Sequence, residues 1–435
     1  MAQSRASVFE TVQLGPESLA DPGVAVDATK KLQALGFALS PQIETSRFRP
    51  VGYKYDTLVT PGKDSSEFSI DGRLDYDNLR YALASVIGEP SVSVLGTNGR
   101  SWLFETSSNS PDVMRTYTVD TGSAVRAARV VGVAFTGLDI SFRRDEATVS
   151  GSAIGQNMDE PIYMTGPAVY TLAETGGPTA GTFTLTYDGD TTAALDFDAT
   201  AAEIQTALWA LDSVGPGRIF ASGGPINTAD VILQFSGELA NQTITGFTAT
   251  ASFTGGTTPD IDLTETQAGV AIDELTAQPV IPGAVNIYVD TTFAAIGTTK
   301  LTRVLEADTS IGDRVSPLWV LNSSLNSYAA TLETPADITA RLKLEANSAG
   351  MAYLSTVRAG STVFIRIESV GPALPAPDAG QNYLFRWDMA AKVENPDSMG
   401  DTDGAYTIDW NFRGVHDASM GGVLAVTLQN LATEL

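Results

Sequence analysis

The stretch Ala405-Tyr-Thr-Ile-Asp-Trp-Asn-Phe412 places Tyr, Ile, Trp and Phe at every second position, and this alternation decides the fold class. A strand with one buried and one exposed face has that period. The same pattern recurs in Thr182-Phe-Thr-Leu-Thr-Tyr187 and in Val363-Phe-Ile-Arg-Ile-Glu368. Turn-forming Gly, Pro, Asp and Asn separate such stretches along the chain. The sequence therefore predicts a mainly β protein.

Length and composition limit the possible classes of protein. The chain has 435 residues, 43% of them hydrophobic, which is more than one ordinary core accommodates and indicates several domains. Its 51 acidic and 26 basic residues give a net charge of −25, which disfavours nucleic-acid binding and anionic membranes. There is no cysteine, so disulfides and thiolate chemistry are excluded. The first ten residues lack the apolar core of a signal peptide, and no apolar run is long enough to cross a membrane.

Three segments have helical periodicity instead of alternation: 75–88, 200–215 and 347–360. In the first, Asp75 and Asp77 are candidate N-caps, and four apolar residues share one face: Leu79, Leu83, Val86 and Ile87. In the second, Thr200 and Glu203 have capping-box spacing, followed by an apolar stripe of Ile204, Leu208 and Leu211. Gly88 and Gly360 end the first and third segments.

The first and third helices lie in matching surroundings, which predicts an internal duplication. Tyr81 and Tyr353 occupy the same position in each helix. Each helix is preceded by an alternating segment and followed by a strand and a closing hairpin: 67–71, 101–106 and 129–155 in one half; 339–345, 363–368 and 383–415 in the other. Residues 166–270 interrupt the repeat with a Thr-, Gly- and Ala-rich segment flanked by prolines. We therefore expect three domains, 1–165, 166–270 and 271–435, the second inserted between duplicated units.

Two sets of residues carry a resemblance to a known family. The central segment resembles an immunoglobulin-like module of structural proteins in phages that infect actinobacteria, through Gly181-Thr-Phe-Thr-Leu-Thr-Tyr-Asp-Gly189 and Asp198-Ala-Thr-Ala-Ala-Glu-Ile-Gln-Thr-Ala-Leu208. The last domain is similar to major tail proteins of such phages. The similar residues are Val289-Asp-Thr-Thr-Phe293, Thr302-Arg-Val304, Phe364-Ile-Arg-Ile-Glu368, Asp388-Met-Ala-Ala-Lys392 and Tyr406-Thr-Ile-Asp-Trp410.

This resemblance implies a tail-tube β-sandwich or barrel with one flanking helix in each duplicated unit, and rings stacked into a hollow tube. The duplication favours homotrimeric, pseudo-hexameric rings, with hexameric rings as the alternative. The implied partners are further copies of the chain, a tape measure protein, and tail terminator and distal tail proteins. DNA would pass through the lumen without specific binding, and an acidic wall suits that passage. The implied location is the virion, after synthesis in the host cytoplasm, with no membrane contact.

No pattern of catalytic or metal-binding residues stands out, so we assign no catalytic, cofactor or metal site and expect no enzyme and no cofactor. His416, the single histidine, lies beside Asp417 after a strand, and no nucleophile motif accompanies it. Asp188-Gly-Asp190 and Asp401-Thr-Asp-Gly404 resemble pieces of calcium loops but lack the closing Glu, which favours hairpin turns. Gly223-Gly-Pro225 and Thr97-Asn-Gly-Arg100 also predict turns.

Two other functions compete with a tail-tube role. One is a monomeric virion or cell-surface protein that recognises host glycan through the inserted module; exposed aromatic side chains on a concave face would favour it. The other is a hydrolase of the host cell wall, which would require a cleft of converging carboxylates. We consider the hydrolase the weaker alternative, because none of the 51 acidic residues forms a distinctive pair in the sequence.

Overall fold

The computed structural model describes residues 10–123, 127–322, 326–348, 350–397, 399–402 and 404–435. The first nine residues, which supported the absence of a signal peptide, lie outside this part. Strands dominate the described residues, so the mainly β prediction is confirmed. None of the described helices combines the length and apolarity that crossing a membrane requires.

The strands are numbered β1 to β29 in chain order. Before the central segment these are β1 (Thr11–Pro16), β2 (Lys30–Leu32), β3 (Leu35–Phe48), β4 (Leu58–Arg73), β5 (Ser91–Leu95), β6 (Gly99–Glu105), β7 (Tyr117–Gly122), β8 (Ala127–Phe142), β9 (Ala147–Gly155) and β10 (Met158–Ile162). The central segment contributes β11 (Val169–Thr175), β12 (Ala180–Tyr187), β13 (Asp190–Thr191), β14 (Leu195–Asp196), β15 (Ile219–Gly223), β16 (Val231–Phe235), β17 (Thr248–Thr254) and β18 (Asp260–Gln267). The remainder are β19 (Asp273–Glu274), β20 (Val285–Asp290), β21 (Val304–Ile311), β22 (Val315–Leu318), β23 (Ala330–Glu333), β24 (Ile338–Glu345), β25 (Thr362–Ala373), β26 (Asn382–Val393), β27 (Gly400–Thr402), β28 (Ala405–Gly414) and β29 (Leu424–Asn430).

The helices are α1 (Leu79–Val86), α2 (Ala201–Trp209) and α3 (Tyr353–Ala359), each shorter than its predicted segment. The capping box of Thr200 and Glu203 is confirmed, and Gly360 ends α3 in a left-handed conformation with φ 61°. The proposed caps of α1 are wrong. Its N-cap is Asn78, whose side chain makes no capping bond, while Asp75 accepts the backbone N–H of Asn78 at 3.0 Å. Asp75 therefore closes a turn before the helix instead of capping it.

Strand pairing follows one scheme twice. In the first copy β1 pairs with β7, β7 with β8, and β8 with both β9 and β10; β3, β4 and β9 are neighbours in that order. In the second copy β20, β25, β26, β28, β29, β21 and β24 occupy the corresponding places. The long strand β8 pairs with β10 near its start and with β9 from residue 134 onward, and β26 likewise pairs with β29 first and with β28 at its end. The two copies therefore share a topology despite their weak sequence identity.

One correspondence expected from the sequence differs from this scheme. Residues 101–106 were matched with 363–368, but β25 occupies the place of β7, because both lie between a first strand and a long bent strand. Residues 101–105 instead belong to β6, which pairs with β5 and with β29 of the second copy. The β5–β6 hairpin is an addition to the first copy. Alternation identifies a strand but not its neighbours, so the sequence did not reveal the addition.

Residues of the two copies form one buried cluster that extends from Leu14 to Leu428. The central segment has its own buried cluster, extending from Ala168 to Ile261, with Ile204 and Leu208 of α2 fully buried in it. Its strands form two sheets, one in the order β15-β16-β11-β18 and one centred on β12. The backbone carbonyl of Gly166 accepts the N–H of Val270 at 2.9 Å, so the ends of the central segment are adjacent.

Candidate assembly surface

The two copies meet edge to edge through a backbone ladder. β8 of the first copy pairs antiparallel with β21 of the second, from Leu138 opposite Ile311 to Phe142 opposite Ala307. This joins four strands of each copy into one layer in the order β3-β4-β9-β8-β21-β24-β28-β26. We call it the eight-stranded layer. One face covers the core, and the other, the open face, carries the outward side chains.

Arg314, which lies between β21 and β22 of the second copy, forms contacts across this junction with the first copy. Its guanidinium lies 2.7 Å from the carboxylate of Asp112 and 2.6 Å from that of Glu333. It also donates to the carbonyls of Val86 and Ile87 at the end of α1, at 2.9 and 3.3 Å. The side chains of Arg314 and Asp112 are each 7% exposed, so the pair is buried and its hydrogen bonds compensate the desolvation of both charges.

A loop of the second copy also packs onto the first. Tyr328 is 2% exposed, and its hydroxyl donates to the carbonyl of Gly132 in β8 at 2.9 Å. Its ring packs edge-on against Trp319, with centroids 6.0 Å apart. A buried hydroxyl must find an acceptor, so this hydrogen bond fixes where the loop sits. No sequence motif indicated Arg314 or Tyr328, because their partners are far away in the chain.

A third contact joins the added hairpin to the second copy. The turn between β5 and β6, predicted from Thr97-Asn-Gly-Arg100, is present. Its backbone N–H groups surround the carboxylate of Asp378: Asn98 donates at 2.7 Å, Gly99 at 3.1 Å, and Thr97 donates as well. These donors, that of Thr97 first, hold the pKa of Asp378 below its ordinary value. Asp378 thereby anchors the hairpin at neutral pH.

Each end of the eight-stranded layer has an edge with which no strand pairs among the described residues; β26 itself pairs with β25 as far as Lys392, so at that end the free edge lies beyond it. β3 pairs with β4 on one side, and in the described part of the chain no strand pairs with the other. At the opposite end, residues 394–397 continue β26 along β28: Glu394 N–H donates to Asn411 and Asp397 N–H to Asp409. Aligning Tyr81 with Tyr353 matches β4 with β24, and the pairing registers then match residues 37–41 of β3 with residues 307–311, the stretch of β21 that pairs with β8. The free edge of β3 is thus the counterpart of an edge already used at the internal junction.

Two hairpins extend the layer at one end. The first arm consists of residues 43–48 and 58–64 with their connecting tip, and the second arm consists of β22, β23 and their connection. Both arms expose large apolar side chains: Ile43, Phe48, Val51, Tyr53, Tyr55, Leu58 and Val59 on the first, and Leu318, Val320, Leu321 and Leu332 on the second. The ammonium of Lys63 lies 5.2 Å from the centroid of the Trp319 ring and links the arms. Exposed apolar surface concentrated in this way marks an interaction site.

The open face differs between the copies. Around the second copy it carries six charged side chains that we call the charge ladder: Glu306, Asp308, Arg341, Lys343 and Asp409 of the second copy, and Arg143, which follows β8 of the first copy. Arg143 and Arg341 both contact Asp308, at 2.6 and 3.0 Å. Arg341 also lies 3.4 Å from Asp409 and 3.6 Å from Glu306, and Lys343 lies 3.5 Å from Glu306. The first copy presents mainly Ser and Thr there, with exposed Glu67, Asp71 and Asp139 and with Arg73, which lies 4.0 Å from Glu146.

The residues considered for chemistry do not converge on a site. His416 is exposed after β28, and its Nδ1 lies 2.8 Å from the hydroxyl of Ser108. The neighbouring Asp417 instead accepts from Ser419, whose hydroxyl bond is the first cause of a lowered Asp417 pKa. Across the residues that the structure describes, no group of three or more His, Cys, Asp or Glu is placed to hold a metal ion.

The turns predicted at residues 188–190, 401–404 and 223–225 lie at the ends of hairpin strands. Asp188 and Gly189 adopt positive φ angles of 48° and 88° between the paired residues Tyr187 and Asp190, which confirms that turn. Asp401 accepts the N–H of Gly404 at 3.2 Å between β27 and β28, while Asp403 lies outside the described residues. Gly223 pairs with Val231 at the end of the β15–β16 hairpin.

Comparison with known proteins gives a partial relationship. The chain matches no known protein family profile. A segment of 128 residues is 32% identical to the tail sheath protein of Mycobacterium phage Bxz1, covering 28% of this chain and 21% of that protein. The chain therefore spans about a fifth of the relative's length. A solved structure from Mycobacterium phage Patience is 13% identical, with a TM-score of 0.20 over 55% of this chain and 89% of that chain. The sequence match supports a relation to structural proteins of phage tails.

Proposed function

We propose that this chain is the major tail protein of a tailed phage, which assembles with further copies of itself into stacked rings that form the tail tube. The observation that carries the proposal is the internal junction. Two copies of one fold already join side by side through β8 and β21, and the matching edges at both ends of the eight-stranded layer are free. Free edges invite pairing with another chain, and a ring is the arrangement that leaves none exposed.

The internal junction also serves as a template for the contact between chains. By the correspondence of the two copies, residues 37–41 of one chain would pair with the edge of the next chain that includes Asn395, Asp397 and β27. Repeating this contact around an axis gives six copies of the fold in three chains, a homotrimeric ring with pseudo-sixfold symmetry. Hexameric rings of whole chains are the alternative. The duplication supports the trimer, because each chain then supplies two of the six positions.

We propose the domain division 1–165, 166–270 and 271–435, with the central domain as an immunoglobulin-like insertion on the outside of the tube. Its separate core and its adjacent ends, Gly166 and Val270, support an insertion at a surface loop. The proposed setting is the virion, with a tape measure protein inside the tube and tail terminator and distal tail proteins at its ends. DNA would pass through the lumen.

The two apolar arms would connect one ring to the next. Six of the exposed side chains on the first arm are Phe48, Val51, Tyr53, Tyr55, Leu58 and Val59, which water solvates poorly. The double substitution Tyr53→Ser and Tyr55→Ser should leave the chain folded and ring-forming but prevent stacking, which negative-stain electron microscopy distinguishes. Long tubes formed by this variant would contradict the role of the arms.

A second function has one favourable observation. Phe220 on β15 is 41% exposed and packs edge-on against Trp209 of α2, with ring centroids 6.0 Å apart. Trp209 is half-buried, so the exposed part of the Phe220 ring is what could stack on a sugar ring, and the inserted domain is a candidate for host glycan recognition. Glycan-array binding that disappears in Phe220→Ser, in a chain that stays monomeric, would favour this function over tube formation.

The test of the main proposal is electron microscopy of the purified chain at high concentration. We expect threefold rings or tubes with external knobs. Asn395→Pro is the diagnostic variant, because Glu394 and Asp397 donate to β28, so the intervening Asn395 N–H faces the free edge. Asn395 is exposed, and Asn395→Ala is the matched control. Rings formed equally by Asn395→Pro would refute the proposed contact, and a wild-type chain that remains monomeric with tail initiator proteins present would refute the function.

A further inference from the structure

The charge ladder leaves none of its cations free to bind an anion. The guanidinium of Arg143 holds both oxygens of Asp308, at 2.6 and 3.1 Å. Arg341 bridges Asp308 and Asp409, at 3.0 and 3.4 Å, and Lys343 faces Glu306 at 3.5 Å. Three basic groups therefore face three carboxylates, and the ladder has no net charge. A phosphate would have to displace a carboxylate to reach any of these cations.

The fold does not require the ladder. When β24 is matched with β4 by the alignment of Tyr81 and Tyr353, and the neighbouring strands by their pairing registers, the first copy has small or acidic residues at the corresponding positions: Gly36 for Glu306, Ala38 for Asp308, Ser69 for Arg341, Asp71 for Lys343 and Ser150 for Asp409. That copy forms the same four-stranded arrangement. The side chains of the ladder are 19–36% exposed and form a network, so they add to the stability of the second copy, but the first copy adopts the same arrangement without them. The strand arrangement therefore does not depend on six charges being concentrated on one face.

The ion pairs of the charge ladder affect whether the open face can bind the phosphates of DNA. Arginine and lysine supply most contacts of proteins to the DNA backbone, and each contact strengthens binding by releasing counterions. An open face with three unpaired cations would hold a duplex in spite of the acidic charge elsewhere, because charges beyond roughly 8 Å are screened at physiological salt. The carboxylates of the ladder remove those contacts locally.

We propose that the open face of the eight-stranded layer faces duplex DNA and that the charge ladder masks Arg143, Arg341 and Lys343 so that they do not hold phosphates. This rests on the proposed function, since it takes the open face as the wall of the lumen. The first copy has mainly hydroxyls and exposed carboxylates in place of the ladder, and its Arg73 lies 4.0 Å from Glu146. Both halves of the wall thereby let a polyanion slide.

The test unmasks the cations and measures DNA affinity. The double variant Glu306→Gln and Asp308→Asn removes two of the three carboxylates with nearly isosteric amides. Its binding to a fluorescent duplex is measured by anisotropy over a range of salt concentrations. If three cations contact phosphate, the affinity should fall about 500-fold between about 20 mM and about 200 mM salt, because the logarithmic slope is about −0.9 per contact. The wild-type chain should show no such binding.

The matched control is the double variant Glu238→Gln and Glu274→Gln. It makes the same change in net charge and frees Arg218 and Lys31, which lie away from the open face. We expect the ladder variant to bind at least about tenfold tighter than this control at low salt. Equal affinities of the two variants, or a wild-type chain that binds as tightly as the ladder variant, would overturn the proposal.

Folding and ring assembly of each variant are measured separately, so that an absence of DNA binding can be assigned to one cause. Circular dichroism and thermal unfolding report whether the ladder variant is folded; if it is not, the single variant Asp409→Asn frees one face of Arg341 and gives the same reading at smaller amplitude. Ring formation of each variant is scored by electron microscopy. Rings without unmasked DNA affinity would refute the masking alone, whereas unmasked affinity in a chain that forms no rings would refute the tube.

Discussion

Removing the guanidinium of Arg314 should weaken the junction between the two copies, because it leaves a buried carboxylate without its cation. Arg314 and Asp112 are each 7% exposed, whereas Glu333, its other acidic partner, is 30% exposed and loses less when left alone. Breaking a buried pair by removing one partner costs about 3–5 kcal/mol. We therefore expect Arg314→Met to lower the free energy of unfolding of the two-copy core by about that amount.

Urea denaturation followed by tryptophan fluorescence measures this loss, since Trp102, Trp387 and Trp410 are buried in the two-copy core. Asp112→Asn provides a double-mutant cycle. If the cost comes from the uncompensated carboxylate, the double variant should lose at least about 2 kcal/mol less than the sum of the single variants.

Arg218→Met is the control, because the partner of Arg218, Glu238, is 78% exposed. Its cost should stay below about 1 kcal/mol. A loss below about 1 kcal/mol for Arg314→Met, or additive effects in the cycle, would refute the assignment of Arg314 as the fastener of the junction.

Two further outcomes are expected. Burial raises the pKa of Asp75 to about 6, and burial together with the Asp75 charge raises that of Asp77 to about 7. The folded state then holds protons that the unfolded chain has released, so stability falls between about pH 4 and pH 7, by up to about 3 kcal/mol for Asp75. Asp75→Asn should make the free energy of unfolding less dependent on pH, as measured by urea denaturation at several pH values between about 4 and 7. An unchanged pH dependence would contradict this prediction. Replacing residues 167–269 by a short Gly-Ser linker should remove one calorimetric transition and leave the rest folded, because Gly166 and Val270 are hydrogen-bonded. An unfolded remainder would disprove independent folding.

Local signals in the sequence were reliable where the cause of the structure is local. Alternation identified the strands, because burial of one face imposes a period of two. The capping box of Thr200 and Glu203 and the terminating Gly360 were correct, since each acts within one helical turn. The proposed caps Asp75 and Asp77 were wrong, because an acidic residue before a helix can equally close the preceding turn.

The correspondence of 101–106 with 363–368 failed for a different reason. Both segments are strands, as predicted, but the added hairpin places β6 beside β29 and leaves β7 in the matching position. Order along the chain does not record which edges pair. For the same reason, the contacts that Arg314, Tyr328 and Asp378 make with the other copy could not be predicted from the sequence.

The sequence alone determined that this protein is mainly β; it also predicted two similar units and showed no pattern typical of an active site. These properties follow from composition and short-range periodicity, which every stretch of chain displays by itself. Only the tertiary structure decided that the two units join through β8 and β21, that β3 and residues 394–397 keep free edges, and that six charges form a neutral ladder. Those features depend on contacts between residues far apart in the chain, and such contacts exist only once the sheets have assembled.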